Sequence, residues 1–239
     1  MIKLKNKNHF KNCIAIIPAR GGSKRIPRKN IKLFNGKPII YYAIKAVKES
    51  KCFDKIIVST DDNKIAIIAK KLGAEILFKR PKSLSTDHAK SIDAINHAIK
   101  ELKRLKINFD YICTIYPTNP LLNYKNLIRG YNLIKTKKFN YVFTVNEYPY
   151  PIQRSLKIVR NIGVQMLFPK YRNKNSNNLR KIYHDAGQFY FGNKNSFLQE
   201  KNMFSKKSFP IIIKKNHTWD IDDFEDWKIA ESLFKNLKK

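Results

Sequence analysis

Residues 13–30 read CIAIIPARGGSKRIPRKN, an apolar run that passes directly into a loop of glycines and cations. The run from Cys13 to Pro18 has the length and composition of a buried β-strand. Gly21 and Gly22 follow it, and glycines allow backbone amides to approach phosphate oxygens closely. Because open α/β sheets bind ligands at the carboxyl ends of their strands, this stretch predicts an α/β fold with a phosphate-binding loop after its first strand.

Residues 19–30, here called the glycine loop, also carry the polar side chains expected of a phosphate site. Ser23 can donate a hydroxyl hydrogen bond, and Arg20 and Lys29 are among five cations that can neutralise phosphate charge. The loop lacks the Gly-Lys-Ser/Thr ending of a Walker A loop and the G-x-G-x-x-G of dinucleotide-binding folds. For an isolated Gly-Gly-Ser-Lys sequence, a basic surface turn is the alternative interpretation.

Short β-type runs alternate with longer runs of helical periodicity, which predicts a doubly wound, mainly parallel sheet with crossover helices. The predicted strands of the first two-thirds of the chain are residues 13–18, 55–60, 75–79, 110–116 and 141–147. The predicted helices between them are residues 39–50, 63–72, 91–105 and 123–136. A final unit is predicted to contain strands at 187–192 and 210–214, a short helix between them, and a terminal helix at 224–237.

Residues 148–183 break this rhythm, because they contain three prolines and a polar run at 172–178. The whole chain, residues 1–239, is predicted to be a single domain with this segment as an inserted excursion. In a doubly wound fold such an insert can supply a lid or a subunit contact, and a plain surface loop is the alternative.

The formal net charge of +31 would suit a nucleic-acid-binding protein. Lysine is spread over nearly every segment together with asparagine and isoleucine, however, which indicates a compositional bias rather than one basic face. No apolar run has the length needed to cross a bilayer, and the run at 13–18 is too short for a signal peptide. We therefore expect a cytoplasmic protein that binds neither membrane nor nucleic acid, with the nucleic-acid interpretation kept as the alternative of another class.

The glycine loop and the residues before it resemble the signature I-P-A-R-x-G-S-K-x-I-x-x-K-N of the sialic-acid-type cytidylyltransferases, which activate acidic nine-carbon sugars with CTP. The resemblance continues at residues 39–42, 58–62 and 80–87 and covers most of the chain. It implies the nucleotide-diphospho-sugar transferase fold, and it implies that Arg20 and Lys29 stabilise the departing pyrophosphate. The nucleotide-binding residues that it implies are Ala19, Arg20, Gly21, Gly22, Ser23, Lys29, Asn30, Arg80 and Ser85.

Near the other end of the chain, Asp220 and Asp222 stand at alternating positions of an extended segment, so their carboxylates can point to the same side. Taken locally, this pattern also fits helix capping, with Asp222 or Asp223 as the N-cap and Glu225 completing a capping box. By resemblance, an Asp-x-Asp at this place binds the Mg²⁺ that bridges the nucleotide phosphates, which gives Asp222 a role in catalysis.

Two further motifs bear on the sugar, YPTNPLL at 116–122 and YHDAGQFY at 183–190. Tyr116 stands where sialic acid enzymes usually have glutamine, and Leu122 stands where they have arginine. The second motif, with residues 150–154, resembles the branch of the family that uses pseudaminic acid. A dideoxy sugar has fewer hydroxyls, so a site with fewer polar groups suits it. The implied sugar-binding residues are Tyr116, Thr118, His184, Asp185 and Gln188.

The resemblance therefore implies a CTP-dependent enzyme that transfers CMP to the anomeric C2 hydroxyl of pseudaminic acid and releases pyrophosphate. Sialic or legionaminic acid is the alternative sugar. The family is commonly dimeric, which makes a homodimer the expected state, with the excursion at 148–183 as the expected contact.

Overall fold

The computed structural model describes residues 12–160 and 162–237. Its strands in chain order are β1 (Cys13–Pro18), β2 (Leu33–Phe34), β3 (Lys37–Pro38), β4 (Lys55–Ser59), β5 (Tyr111–Ile115), β6 (Tyr141–Glu147), β7 (Leu156–Val159), β8 (Gly163–Met166), β9 (Tyr183–Asn193) and β10 (Ser208–Ile213). Its helices are α1 (Ile40–Ser50), α2 (Asn63–Lys71), α3 (Ser91–Arg104), α4 (Tyr124–Thr136), α5 (Lys194–Leu198) and α6 (Phe224–Leu237).

Strand β1 lies inside the main sheet, next to the edge strand β4, in the order β10-β6-β9-β5-β1-β4. It pairs in parallel with β4 on one side and with β5 on the other, and β10 pairs in parallel with β6. Only β9 runs antiparallel, between β5 and β6. The predicted α/β fold with a mainly parallel sheet is confirmed, and the carboxyl ends of β1, β4 and β5 meet at one edge.

The burial of β1 follows from its apolar run, because a strand in the middle of a parallel sheet is covered on both faces. Side chains at 13, 15 and 17 pack with helices α1, α2 and α4. Those at 14 and 16 pack with α3 and α5 on the opposite face. The amphipathic helices predicted from periodicity are therefore the two outer layers of the fold.

A third apolar cluster joins the two ends of the chain. It contains Ile26 of the glycine loop, Phe34 of β2, Ile221 of the Asp-x-Asp segment, and Trp227 and Phe234 of α6. The Phe34 ring meets the rings of Trp227 and Phe234 edge to face at 5.4 and 5.5 Å between centroids. Because Ile26 and Ile221 are both almost completely buried here, the residues next to them are held close to one another.

Two strand predictions need correction. The predicted strand at 75–79 is only an isolated bridge between Ile57 and Glu75. After this bridge the chain turns back towards the sheet edge, where the Arg80 amide donates to the Thr60 carbonyl. The strand predicted at 187–192 begins earlier, at Tyr183, and its antiparallel direction was not part of the prediction.

The excursion at 148–183 contains the hairpin β7–β8, whose strands pair only with each other. Its apolar side chains are largely exposed, including Leu156, Ile158, Ile162 and Val164. Among the helices in the described part of the chain, none is both long enough and apolar enough to span a membrane.

Candidate active site

Hydrogen bonds hold the glycine loop in its conformation. They involve the loop's own side chains and Asp61, which follows strand β4. The Lys29 amide donates to Ser23 Oγ at 2.8 Å, and Asn30 Nδ2 donates to the Arg20 carbonyl at 2.9 Å. The Gly21 amide donates to Asp61 Oδ1 at 3.0 Å. These bonds fix the loop at the carboxyl edge of the sheet, where the sequence places it.

A cavity of about 230 Å³ opens above this loop. Its wall combines the glycine loop, the start of α3 and the segment after β5, including the predicted residue Thr118. Six cations line it, namely Arg20, Lys24, Arg25, Lys29, Arg80 and Lys90. A cleft with this many cations is suited to a polyanionic ligand such as a triphosphate.

Arg80 is the most deeply buried of these cations, with only 4% of its surface exposed. Its Nε and one terminal nitrogen have no hydrogen-bond partner within the described structure. The nearest carboxylate oxygen, Asp61 Oδ1, is 4.0 Å from the guanidinium. Burial lowers the pKa of Arg80, and Asp61 opposes that shift. Unpaired buried donors are costly, so Arg80 is poised to donate to a ligand in this cavity.

Three other cations of the cavity are paired with carboxylates. Arg20 contacts Asp87 at 2.6 Å and Lys24 contacts the same carboxylate at 2.7 Å. These hydrogen bonds, first from Lys24 and then from Arg20, lower the pKa of Asp87 to about 2. Arg25 contacts Asp222 at 2.7 Å. Asp87 thus lies where it neutralises the cations that a phosphate would meet.

Lys29 links the glycine loop to the Asp-x-Asp segment, because its ammonium donates to the Ile221 carbonyl at 2.5 Å. Burial lowers the pKa of Lys29, and Asp222 and Asp220 oppose the shift. Desolvation raises the pKa of Asp220, and Asp222 raises it further. Both carboxylates therefore lie close to each other and to Lys29, which brings together residues almost two hundred positions apart in the chain.

Asp223, and not Asp222, caps the N-terminus of helix α6. Asp223 Oδ1 accepts from the amides of Glu225 and Asp226, and Asp226 Oδ2 accepts in return from the Asp223 amide at 3.2 Å. This is a capping box, formed one residue later than the Asp222–Glu225 box considered from the sequence. Asp222 is left with its carboxylate on the cavity wall.

A second cavity, of about 690 Å³, adjoins the first. It lies beyond the carboxyl ends of β6 and β10 and is lined by Tyr116, His184, Asp185, Asp220 and Asp222, with ten further residues. Tyr116 and Asp222 line both cavities. The two spaces therefore meet at the Asp-x-Asp segment, and a molecule in one can reach a molecule in the other at that point.

The family model described as cytidylyltransferase matches residues 14–236 of the chain. The chain belongs to the cytidylyltransferase family. It is 41% identical over 222 residues to the pseudaminic acid cytidylyltransferase of Campylobacter jejuni, a match that covers 93% of this chain and 96% of that protein. It is 32% identical to the N-acylneuraminate cytidylyltransferase of Escherichia coli, over 92% of this chain and 51% of that protein.

The fold comparison agrees with the family. A solved structure of CMP:2-keto-3-deoxy-manno-octonic acid synthetase in complex with CTP matches with a TM-score of 0.69 and 14% identity, covering 94% of this chain and 99% of that one. At this identity the likeness concerns the fold alone. The predicted nucleotidyltransferase fold and the predicted enzyme class are confirmed.

In this cytidylyltransferase, β9 forms part of the second cavity through a wide bulge. Between the pairs Phe143–Tyr190 and Val145–Asp185, β6 advances by two residues and β9 by five. Gly187 sits in the bulge at a φ of 61°, a conformation that favours glycine. The bulge leaves Ala186 and Gly187 unpaired with β6, and both line the cavity beside His184 and Asp185, which are paired with β6.

Gln188 holds this bulge in place. Its side chain is 1% exposed, and its Nε2 donates to Asn119 Oδ1 at 3.1 Å and to the His217 carbonyl at 2.7 Å. Asn119 in turn donates to the Gly187 carbonyl at 3.1 Å. Gln188 does not line the second cavity, so the structure gives this predicted sugar-site residue a positioning role.

His184 and Asp185 do line the second cavity of the cytidylyltransferase. The His184 ring packs against the Tyr148 ring at a tilted angle of 57°, with 4.8 Å between centroids. Asp185 Oδ2 accepts from the Tyr190 hydroxyl at 2.7 Å, and its Oδ1 accepts from the Gly187 amide. Burial raises the pKa of Tyr190 well above its usual range, and Asp185 adds to the shift. Tyr190 therefore stays protonated and donates to Asp185.

Four predicted nucleotide-binding residues are not among those that line the first cavity, namely Ala19, Gly21, Gly22 and Ser85. Ala19 is completely buried, with its amide donating to the Ser59 carbonyl. Ser85 uses its hydroxyl to bond the Pro81 carbonyl, while its own carbonyl accepts from Arg20 at 3.5 Å. Asn30 and Ser23 line the cavity and also shape the loop. Sequence reasoning missed Asp61 and Asp87, although the acidic residues after β4 and in the motif at 80–87 were a signal for them.

Proposed function

We propose that this protein transfers CMP from CTP to the anomeric C2 hydroxyl of pseudaminic acid, giving CMP-pseudaminic acid and pyrophosphate. One observation carries the proposal: a cation-lined cavity and a larger cavity meet at Asp222 and Tyr116. CTP would occupy the first cavity with its α-phosphorus at the junction, and the sugar would occupy the second with its C2 hydroxyl facing that phosphorus. The reaction belongs in the cytoplasm, where CTP is available.

In this arrangement the reaction is an in-line displacement. The sugar oxygen bonds to the α-phosphorus as the bond from that phosphorus to the bridging oxygen of pyrophosphate breaks, and the sugar hydroxyl loses its proton. Arg20 and Lys29 neutralise the charge that grows on pyrophosphate, and Arg80 offers its unpaired donors to the nucleotide. Holding both substrates in line supplies a large part of the rate, as in phosphoryl transfers generally.

Asp220 and Asp222 fit a Mg²⁺ site. Within the described residues no cluster of three or more His, Cys, Asp or Glu side chains could hold a metal ion. Magnesium, however, is commonly held by one or two carboxylates together with substrate phosphates and water. Bound between these carboxylates and CTP, the metal would neutralise phosphate charge. Burial raises the pKa of Asp220 and the Asp222 carboxylate raises it further, so a divalent cation between them would stabilise the charged form of both.

Pseudaminic acid is the sugar that the observations favour. The relative at 41% identity bears that substrate in its name, whereas the relatives named for N-acylneuraminate and N,N'-diacetyllegionaminic acid are 32% and 29% identical. At the junction, Tyr116 places an aromatic ring next to Tyr190, with 5.7 Å between ring centroids. An aromatic ring at this position, where sialic acid enzymes usually have a glutamine, suits a sugar with fewer hydroxyls than sialic acid.

The test is pyrophosphate release from CTP and Mg²⁺ with pseudaminic, legionaminic and N-acetylneuraminic acids offered separately. We expect kcat/KM to be highest with pseudaminic acid. The Asp222→Asn variant is expected to lose about a hundred-fold or more of kcat, because a charge at the reacting phosphate is removed. Glu225→Gln, an exposed change three residues away, is the matched control and is expected to keep wild-type kinetics.

Full activity of Asp222→Asn would overturn the metal assignment without touching the choice of sugar. Equal or greater kcat/KM with N-acetylneuraminic or legionaminic acid would overturn the choice of sugar and leave the reaction class standing. Absence of pyrophosphate release with all three acids would overturn the proposed function.

We also propose that the protein is a homodimer joined through the hairpin β7–β8. This hairpin exposes a row of large apolar side chains, of which Ile158 is 87% exposed and Ile162 is 84% exposed. Soluble proteins rarely leave such a patch open to water, so it marks an interaction surface. A second copy of the same chain is the simplest occupant, because closed homodimers are the commonest oligomers.

A further inference from the structure

The second cavity has a negatively charged wall, which is unusual for a site that would bind an acidic sugar. Five carboxylates line it, those of Glu147, Asp185, Asp220, Asp222 and Asp226. Glu147 pairs with Lys181 at 3.0 Å, Asp185 accepts from Tyr190, and Asp226 accepts from Trp219. The other two, Asp220 and Asp222, are the proposed metal ligands, and Asp222 also pairs with Arg25 at 2.7 Å. An anionic substrate entering this space therefore needs a cation of its own.

Among the residues that the structure describes, Lys215 is the only lysine or arginine that lines the second cavity. Its ammonium group makes no ion pair or hydrogen bond with the part of the chain that the structure describes. It lies just beyond the carboxyl end of β10, in the short turn Lys215–His217. A lysine that is free and exposed on the wall of an acidic cavity is available to a carboxylate that binds there.

The position of Lys215 is set by the bulge of β9. The His217 carbonyl at the end of its turn accepts from Gln188, and Thr218 Oγ1 donates to the Ala186 carbonyl at 3.0 Å. These two bonds tie the turn to the same bulge that presents Asp185. Lys215 is therefore held over the second cavity by buried contacts, although its side chain is exposed.

We propose that Lys215 binds the carboxylate of the acidic sugar, an inference that rests on the proposed function of the second cavity. In a nonulosonic acid the carboxylate is attached to the anomeric carbon that carries the reacting hydroxyl. A cation on the carboxylate therefore orients that hydroxyl as well as offsetting the repulsion from the acidic wall. The ligand class is a 2-keto sugar acid, and a neutral sugar of similar size would gain nothing from Lys215.

The test compares Lys215→Met, which removes the charge but keeps the length of the side chain, with Lys214→Met. Lys214 is the adjacent lysine, it is exposed, and it does not line the cavity. With pseudaminic acid as the varied substrate, we expect Lys215→Met to raise the KM for the sugar roughly ten-fold or more, as the loss of a charge-assisted hydrogen bond predicts. The KM for CTP should stay within about two-fold, and Lys215→Arg should restore most of the sugar affinity.

Calorimetric binding of pseudaminic acid in the presence of CMP and Mg²⁺ provides a readout that does not need turnover. If Lys215→Met weakens binding and Lys214→Met does not, the inference stands, even where the wild type proves to catalyse another reaction. If the wild type turns over pseudaminic acid and the two variants bind it equally well, the Lys215 assignment is wrong and the proposed function survives. If the wild type binds no sugar acid at all, both are overturned.

Discussion

At the scale of single residues, the two glycines of the glycine loop differ in what a side chain would meet. A Cβ on Gly21 would lie 2.9 Å from both Cβ and Oδ2 of Asp62, whereas a Cβ on Gly22 would meet nothing closer than 3.9 Å. Asp62 cannot easily move, because it caps α2 through the Ile65 amide and pairs with Arg28. Gly21 is therefore required by the fold, whereas Gly22 is not.

Gly21→Ala is accordingly expected to lower the free energy of unfolding by about 1–3 kcal/mol, the usual cost of overpacking. Gly22→Ala should change it by less than about 1 kcal/mol, because no contact is lost and the unfolded chain becomes stiffer. Urea titration followed by circular dichroism measures both. Equal losses of stability in the two variants would show that the Asp62 contact does not constrain the loop.

Asp87 is a second residue whose role can be tested, because it neutralises Arg20 and Lys24 when no nucleotide is bound. A triphosphate would have to replace it on these cations. We expect Asp87→Asn to bind CTP about two- to ten-fold more tightly, since the exposed ion pairs that the nucleotide has to replace are individually weak. Asp93→Asn, the same charge change six residues away, is the control.

Fluorescence or calorimetric titration with CTP at low salt gives the two dissociation constants. Weaker binding in Asp87→Asn than in Asp93→Asn would mean that Asp87 positions Arg20 instead of competing with phosphate. The lowered pKa fixes the pH window of the ion pairs: their contribution is complete above the ordinary aspartate pKa of 3.8 and is lost as the pH falls through about 2. Asp87 therefore adds no pH dependence to CTP binding near neutrality.

The sequence predicted the kinds of residues in this site better than their partners. Glycines and cations after an apolar strand were enough to predict an anion site, because that chemistry depends on residue types within one short segment. The pairing of Arg20 with Asp87 depends on how two loops approach in space, and no periodicity or spacing carries that information.

At the scale of elements, hydrogen bonds at the start of α6 hold the segment that carries the proposed metal ligands. The Asp226 carboxylate accepts from Trp219 Nε1 at 3.0 Å, from the Asp222 amide at 2.9 Å and from the Asp223 amide at 3.2 Å. Although desolvation raises the pKa of Asp226, these hydrogen bonds lower it overall. One side chain thus fixes the backbone of the segment that carries both proposed metal ligands.

We expect Asp226→Asn to raise the Mg²⁺ concentration for half-maximal activity by about ten-fold or more, since residues that orient metal ligands commonly matter to that extent. The KM for CTP at saturating Mg²⁺ should change little. Glu225→Gln, in the same helical turn, is the control, and Asp226→Glu should restore part of the metal affinity. A loss of thermal stability with unchanged Mg²⁺ dependence would show that Asp226 acts only as part of the helix cap.

The elements that sequence reasoning placed well are those with long periodic patterns, such as α3 and α4. The predicted strand at 75–79 was wrong, because a short apolar run can pass beside a sheet without pairing along its length. The antiparallel course of β9 and its bulge were not predictable from alternation. Both depend on Gly187 and on the buried amides of Gln188 and Asn119, whose partners are distant in sequence.

At the scale of the whole molecule, the site exists because the two ends of the chain pack together. Because Ile26 and Ile221 are buried in one apolar cluster, their chain neighbours Lys29 and Asp222 are held close together. The family resemblance implied that these ends share a ligand, but the residues alone gave no sign of the packing. The wide scatter of lysines likewise gave no sign of which few of them line a cavity.

The proposed homodimer is also a property of the whole molecule. Ile158→Glu places a charge at the centre of the exposed hairpin face, so it should separate a dimer joined there into monomers. Light scattering after size exclusion should then report the chain mass of 28.1 kDa instead of twice that mass. Ile67→Glu is the matched control, because Ile67 is a 55% exposed isoleucine on α2, outside the hairpin. A dimer that survives Ile158→Glu would contradict an interface at the hairpin. A wild type that is already monomeric would contradict the homodimer itself.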